Sequence, residues 1–215
     1  MASDTPSLPS GTVTFLFTDI EGSTRLWQEF PDDMPSALKQ HHSTLQTAID
    51  KNNGYVFQIV GDAFCAAFES ASQALAACLE IQYSLRDAIW DNTGHILVRT
   101  VLHTGPVELK AGEHISGEYE SGLTLSQVSR LLSVGHGGQI LLSNATAQLV
   151  LDYLPDGVTL KDLGAHRLRD MVRADAIYQV VTPDLPSDFP PSRHWIHVRT
   201  TSRSSPRPSW VARMS

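Results

Sequence analysis

The stretch FTDIEGST, residues 17–24, follows a run of β-type residues from Val13 to Phe17 and turns abruptly polar at Asp19. A buried strand ending there fixes a carboxylate at the edge of a rigid sheet, and Gly22, Ser23 and Thr24 then read as the opening of a helix. Backbone N–H groups at a helix start favour phosphate oxygens. The local reading is therefore a carboxylate beside an anion-binding turn.

Outward from this point the chain alternates strand and helix patterns. Residues 12–18 read as a strand and 35–51 as an amphipathic helix carrying Ala37, Leu38, Leu45, Ala48 and Ile49. Two apolar runs, 55–60 and 63–68, are joined by Gly61 and Asp62 and read as a hairpin. The Ala-rich residues 70–89 predict a helix and 96–103 a strand, followed by a polar stretch from Ala111 to Gly122. A helix over 123–133 ends in the glycine stop GHGG, a strand follows in QILLS, then a helix over 144–152 and a last strand over 175–181. This order predicts an α+β sheet with helices packed on one face.

The 215 residues contain 41% hydrophobic and 18% charged side chains, as expected of one globular domain. No apolar run approaches the ~20 residues of a membrane span, and the opening MASDTPSLPSG has neither a basic start nor an apolar stretch. A cytoplasmic protein without a membrane partner is expected. The net charge of −7 argues against a general nucleic-acid binder, which needs clustered Lys and Arg. Cys65 and Cys78 belong to no CxxC pair and read as reduced core residues. The sequence divides into a loose N-terminus, residues 1–10, a domain over 11–182, and a Pro/Arg/Ser-rich tail over 183–215 that reads as disordered. Five arginines and no acid fall between Arg193 and Arg213.

If the first strand lies beside the hairpin, the Asp19 and Asp62 carboxylates meet at one sheet edge. Two carboxylates alone repel, so such a pair implies a shared proton or bound cations. Mg²⁺ is typically held by one or two carboxylates together with substrate phosphates. The alternative readings are an ordinary turn or N-cap role for Asp19 and a hairpin-turn role for Asp62.

Four segments in this order, TFLFTDIEGSTRLW, GDAFCAAF, RLLSVGHGGQILLS and LKDLGAHRLRD, resemble the catalytic domain of class III nucleotidyl cyclases over about residues 11–182. The resemblance implies a ferredoxin-like core and a head-to-tail homodimer with active sites at the subunit interface. It implies that Asp19, Asp62 and the Ile20 carbonyl hold two Mg²⁺ or Mn²⁺ ions. One ion would activate the ribose 3′-hydroxyl of a nucleoside triphosphate for attack on the α-phosphorus, and the other would neutralise the leaving pyrophosphate. It places Gly22, Ser23, Thr24 and Arg169 at the phosphates.

The chain departs from the family pattern at several positions. Gln58 stands where a lysine normally reads adenine, so base recognition by a fixed cation is lost. Ser126 replaces the ribose-positioning asparagine, whereas Arg130 keeps the place of the transition-state arginine. The base-contacting position falls on Tyr119, or on Glu118 with a shift of one residue, and Arg169 replaces a lysine at the triphosphate. Each also has an ordinary reading: Gln58 as an exposed strand residue, Ser126 and Arg130 as helix positions. His136, flanked by glycines, reads as a turn residue. His41, His42 and His103 form no ligand spacing, and His166 reads as packed or solvated. The resemblance thus supports a cyclase acting on ATP or another triphosphate, or a degenerate domain that binds nucleotide or only dimerises.

Overall fold

The computed structural model describes residues 8–108, 119, 122–168 and 173–191, and the backbone of 196–197. One sheet of eight strands organises these residues, in the order β2-β3-β1-β4-β5-β7-β6-β8. Its strands are β1 (Gly11–Ile20), β2 (Tyr55–Val60), β3 (Ala63–Phe68), β4 (Val98–Val107), β5 (Ile140–Ser143), β6 (Thr159–Arg167), β7 (Asp175–Val181) and β8 (Ile196–His197). The helices are α1 (Ser23–Glu29), α2 (Met34–Lys51), α3 (Ala71–Asp87), α4 (Leu123–Leu132) and α5 (Asn144–Val150). The central strand β1 pairs antiparallel with β3 on one side and β4 on the other, and β4 pairs parallel with β5.

Alternation along β1 sends its side chains to two cores. Leu16 and Ile20 join α2, α3 and α5 in the larger one, through Leu45, Ile49, Leu75, Ile81 and Val150 among others. Val13 and Phe15 face the other way, where α4 contributes Val128 and Leu131 and where Tyr119 also packs. The α+β class stands, and the single helical face expected from the sequence holds for α2, α3 and α5. Helix α4 lies on the opposite face, because β1 is apolar on both faces and each must be covered.

Two further differences concern the C-terminal part. Strand β6 was not expected; its ladder with β7 is broken by a register shift between Asp162 and Ala165, and Gly164 sits there at φ 91, so period-2 alternation is obscured. Residues 183–191, expected as the start of a disordered tail, are mostly exposed but are tied to the sheet at several points. Leu185 lies against the larger core, Gln179 Nε2 donates to the Ser187 carbonyl at 2.8 Å, and His136 Nε2 bonds the Pro190 carbonyl at 2.8 Å. The His136 ring stacks on Phe189. No described helix is long and apolar enough to cross a membrane.

Candidate active site at the β1–β3 end of the sheet

Strand β1 carries Asp19 one residue from its end, and the β2–β3 hairpin carries Asp62 at its tip, where Gly61 adopts φ +60. Because β3 pairs with β1 from Thr14↔Phe68 to Thr18↔Phe64, the tip projects past the paired region and arrives beside Ile20. Asp62 Oδ2 accepts the Ile20 N–H at 2.7 Å. Asp19, Ile20 and Asp62 are thus brought together directly, 42 to 43 positions apart in the chain but one strand apart in space.

The structure adds Arg99, a residue that sequence reasoning missed. It lies opposite Asp19 in the β1–β4 ladder, and its Nε donates to Asp19 Oδ1 at 2.7 Å, both side chains being only about a quarter exposed. Arg99, the one Arg, Lys, Asp or Glu within β4, was the available signal, but its partner depends on the register of a strand 80 positions away. Burial pushes the Asp19 carboxyl above its ordinary range, Arg99 pulls it down, and Asp62 and Glu21 push it up again, with a net rise.

Behind the pair, Glu21 N–H donates to the Leu97 carbonyl at 2.9 Å, and His136 Nδ1 lies 4.0 Å from Glu21 Oε1. Gly137 closes this corner: a Cβ there would lie 2.6 Å from Leu97 Cβ and 3.0 Å from Glu21 Cβ. Gly22 takes φ 70 ahead of α1, and the first helical bonds run from Arg25 and Leu26 N–H to the Gly22 carbonyl. Helix geometry leaves earlier first-turn amides, those of Ser23 and Thr24, without intrahelical partners.

The other expected residues stand apart. Gln58 is exposed on β2, at one edge of the sheet, opposite Cys65 after a bulge at Phe57. Ser126 and Arg130 are exposed on α4, one turn apart. Tyr119 is corrected: it is 5% exposed, its hydroxyl donates to the Pro9 carbonyl at 2.7 Å, and its ring meets Phe15 and Phe57 edge-on. It anchors the smaller core, which leaves no face open for a base. Glu118 and Arg169 lie outside the described residues. Cys65 is half-buried and Cys78 buried, both free thiols, and burial pushes Cys65 up to about 11.

Among the described residues no three His, Cys, Asp or Glu side chains converge as a complete metal cage. Two half-buried carboxylates nonetheless fit Mg²⁺, which is held by few protein ligands when phosphate oxygens and waters complete its shell.

The described residues thus form a mixed sheet with two carboxylates converging at one strand end. The chain matches the adenylate and guanylate cyclase catalytic domain over residues 6–178 and belongs to that family. An uncharacterized protein of Mycobacterium tuberculosis is 39% identical over 200 residues, covering 92% of this chain and 63% of the relative, so the chain spans less than two thirds of that protein's length. The receptor-type adenylate cyclase GRESAG 4.3 of Trypanosoma brucei brucei is 28% identical, covering 81% of this chain and 17% of the relative. Among solved structures, an adenylate cyclase of Trypanosoma brucei in its monomeric state superposes with a TM-score of 0.77 at 26% identity, covering 90% of this chain and 98% of that one. The guanylate cyclase domain of RhGC from Catenaria anguillulae in complex with GTP shares the fold, with a TM-score of 0.69 at 20% identity, over 80% of this chain and 97% of that one.

Proposed function

We propose that the chain is a metal-dependent nucleotidyl cyclase that converts ATP, or another nucleoside triphosphate, to a 3′,5′-cyclic nucleotide and pyrophosphate in a head-to-tail homodimer. The observation that carries this reading is the direct contact of the Asp62 carboxylate with the Ile20 amide, one residue from Asp19. Bound Mg²⁺ or Mn²⁺ would supply a more acidic 3′-hydroxyl and neutralise charge on the leaving pyrophosphate. Asp19, Asp62 and the Ile20 carbonyl would hold the ions. The Ser23 and Thr24 amides and Arg99 face phosphate, and Arg130 stabilises the charge that develops at the α-phosphorus, supplied from the partner chain as the resemblance implies. Gln58 meets the base with one donor and one acceptor group, which leaves ATP first by family resemblance and other bases open.

A second reading, a nucleotide-binding regulatory module without turnover, draws support from the exchange of two contacts at Gln58 and Ser126 and from the Arg99 bond that already engages Asp19. Removing one preorganised donor typically costs ~10²–10³ in rate, so two weakened contacts bring turnover near silence. Mass spectrometry of products after incubation with ATP, GTP, CTP and UTP, each with Mn²⁺ and Mg²⁺, separates the readings. A cyclic product that disappears in Asp62→Ala is expected. No product from any of the four at concentrations that support a dimer would replace the cyclase reading by the module.

A further inference from the structure

We propose that His42 on α2 is a positioning residue for the Asp62 carboxylate, acting through the Gly61 carbonyl; this deepens, and rests on, the two-aspartate reading. The hairpin tip has little of its own to hold it. Val60 and Gly61 are exposed, the ladder ends at Val60↔Ala63, and Gly61 sits at φ +60. Among the described residues, two hydrogen bonds from outside the hairpin hold it: Asp62 Oδ2 with the Ile20 N–H, and His42 Nε2 with the Gly61 carbonyl at 3.0 Å.

A carbonyl only accepts, so His42 donates from an Nε2–H, and its ring is held in that orientation by the core. It lies edge-on to Phe64 at 5.1 Å, and His41 lies edge-on to the same ring at 5.9 Å. Phe64 is fully buried on β3, two residues after Asp62. The route from core to carboxylate therefore runs Phe64, His42, Gly61, Asp62. When Asp62 serves a cation, the Ile20 bond and the His42 bond together hold the tip in place. A contact one step behind a liganding group orients that group and tunes its affinity.

The test uses the full chain with His42→Ala, His42→Gln and Asp62→Asn. Hydrogen exchange of the Ile20 amide is followed in EDTA, and Mn²⁺ binding is followed by electron paramagnetic resonance with a non-cyclisable ATP analogue. Loss of one hydrogen bond predicts that His42→Ala exchanges the Ile20 amide about 3- to 10-fold faster and binds Mn²⁺ more weakly by a similar factor. Thermal unfolding in EDTA should stay close to that of the wild type, and His42→Gln, which keeps an N–H donor, should restore both readouts. Wild-type exchange and affinity in His42→Ala would overturn the positioning role, as would a loss that Gln does not rescue and that follows a fall in unfolding temperature. Mn²⁺ binding that survives in Asp62→Asn would instead overturn the two-aspartate reading beneath it.

Discussion

Replacing Arg99 by Met tests whether the Arg99–Asp19 bond stabilises this end of the sheet. The variant keeps most of the aliphatic stem and removes the guanidinium whose Nε lies 2.7 Å from Asp19 Oδ1. The two side chains are 25% and 27% exposed, so water compensates only in part. A hydrogen bond to a charged group contributes about 1.5–3 kcal/mol. For a domain of this size that corresponds to a fall of about 3–12 °C in Tm. The Asp19 carboxyl, already pushed above 3.8 by burial and by Asp62 and Glu21, should move further up without Arg99. A raised carboxyl favours the protonated folded form, so its stabilisation is present below the unfolded value near 3.8 and lost as pH rises through the folded value. The deficit of Arg99→Met is therefore larger at pH 7 than near pH 4. Thermal unfolding in EDTA at several pH values measures it, and Asp19→Asn with and without Arg99→Met isolates the pair. Added Mn²⁺ should narrow the gap, because no guanidinium competes with the cation for Asp19 in the variant, which therefore gains more from the ion than the wild type does; a ligand at one hundred times its Kd adds about 2.7 kcal/mol. A wild-type Tm in Arg99→Met, or an equal loss in the Asp19→Asn background, would refute the argument.

Two other substitutions follow from packing. Gly137→Ala places a methyl 2.6 Å from Leu97 Cβ, and overpacking of this kind costs about 1–3 kcal/mol; displacement of Glu21 should also weaken metal-dependent turnover, and unchanged turnover would detach this corner from the site. His41 is fully buried, no hydrogen-bond partner meets either ring nitrogen among the described residues, and burial beside His42 lowers its pKa to about 3. A depressed histidine adds stability that is fully present above about 6.5 and lost as pH falls toward 3, by up to about 1.4 kcal/mol per pH unit. His41→Leu should remove that slope from the unfolding free energy between pH 6 and 4, and a slope equal to the wild type would show that His41 is not the group responsible.

The strand-ending Asp19 and the hairpin-tip Asp62 were legible because each is set by local pattern: a β run that stops, and two short runs joined by Gly and Asp. The apolar runs of β1 and β3 and the Ala-rich α3 were legible for the same reason. Arg99 was not, because its role depends on β1–β4 register, and residues far apart in sequence become neighbours only through the sheet. Tyr119 misled because an amphipathic ring satisfies two readings, and only the Pro9 carbonyl and the Phe15 and Phe57 rings decide between them. The segment 183–191 misled in another way. It has no hydrophobic period, yet Gln179 and His136 bond its carbonyls, so side chains of the sheet and of the glycine loop supply the order that its own sequence lacks.

The two aspartates differ in how they are satisfied, and that difference bears on the proposed chemistry. Asp62 is met by a backbone amide, which cannot leave without moving β1, whereas Asp19 is met by an arginine side chain, which can turn away. On the cyclase reading, a cation arriving alone competes with Arg99 for Asp19, while a metal–triphosphate offers the guanidinium a phosphate acceptor in exchange. Arginine pairs with either anion through the same fork of donors, so the exchange conserves charge-assisted bonds. Metal and nucleotide then bind as a unit, each removing the obstacle to the other. The backbone-held Asp62 supplies the fixed point for that exchange, and this is why the restraint on the hairpin tip matters more than its exposed position suggests.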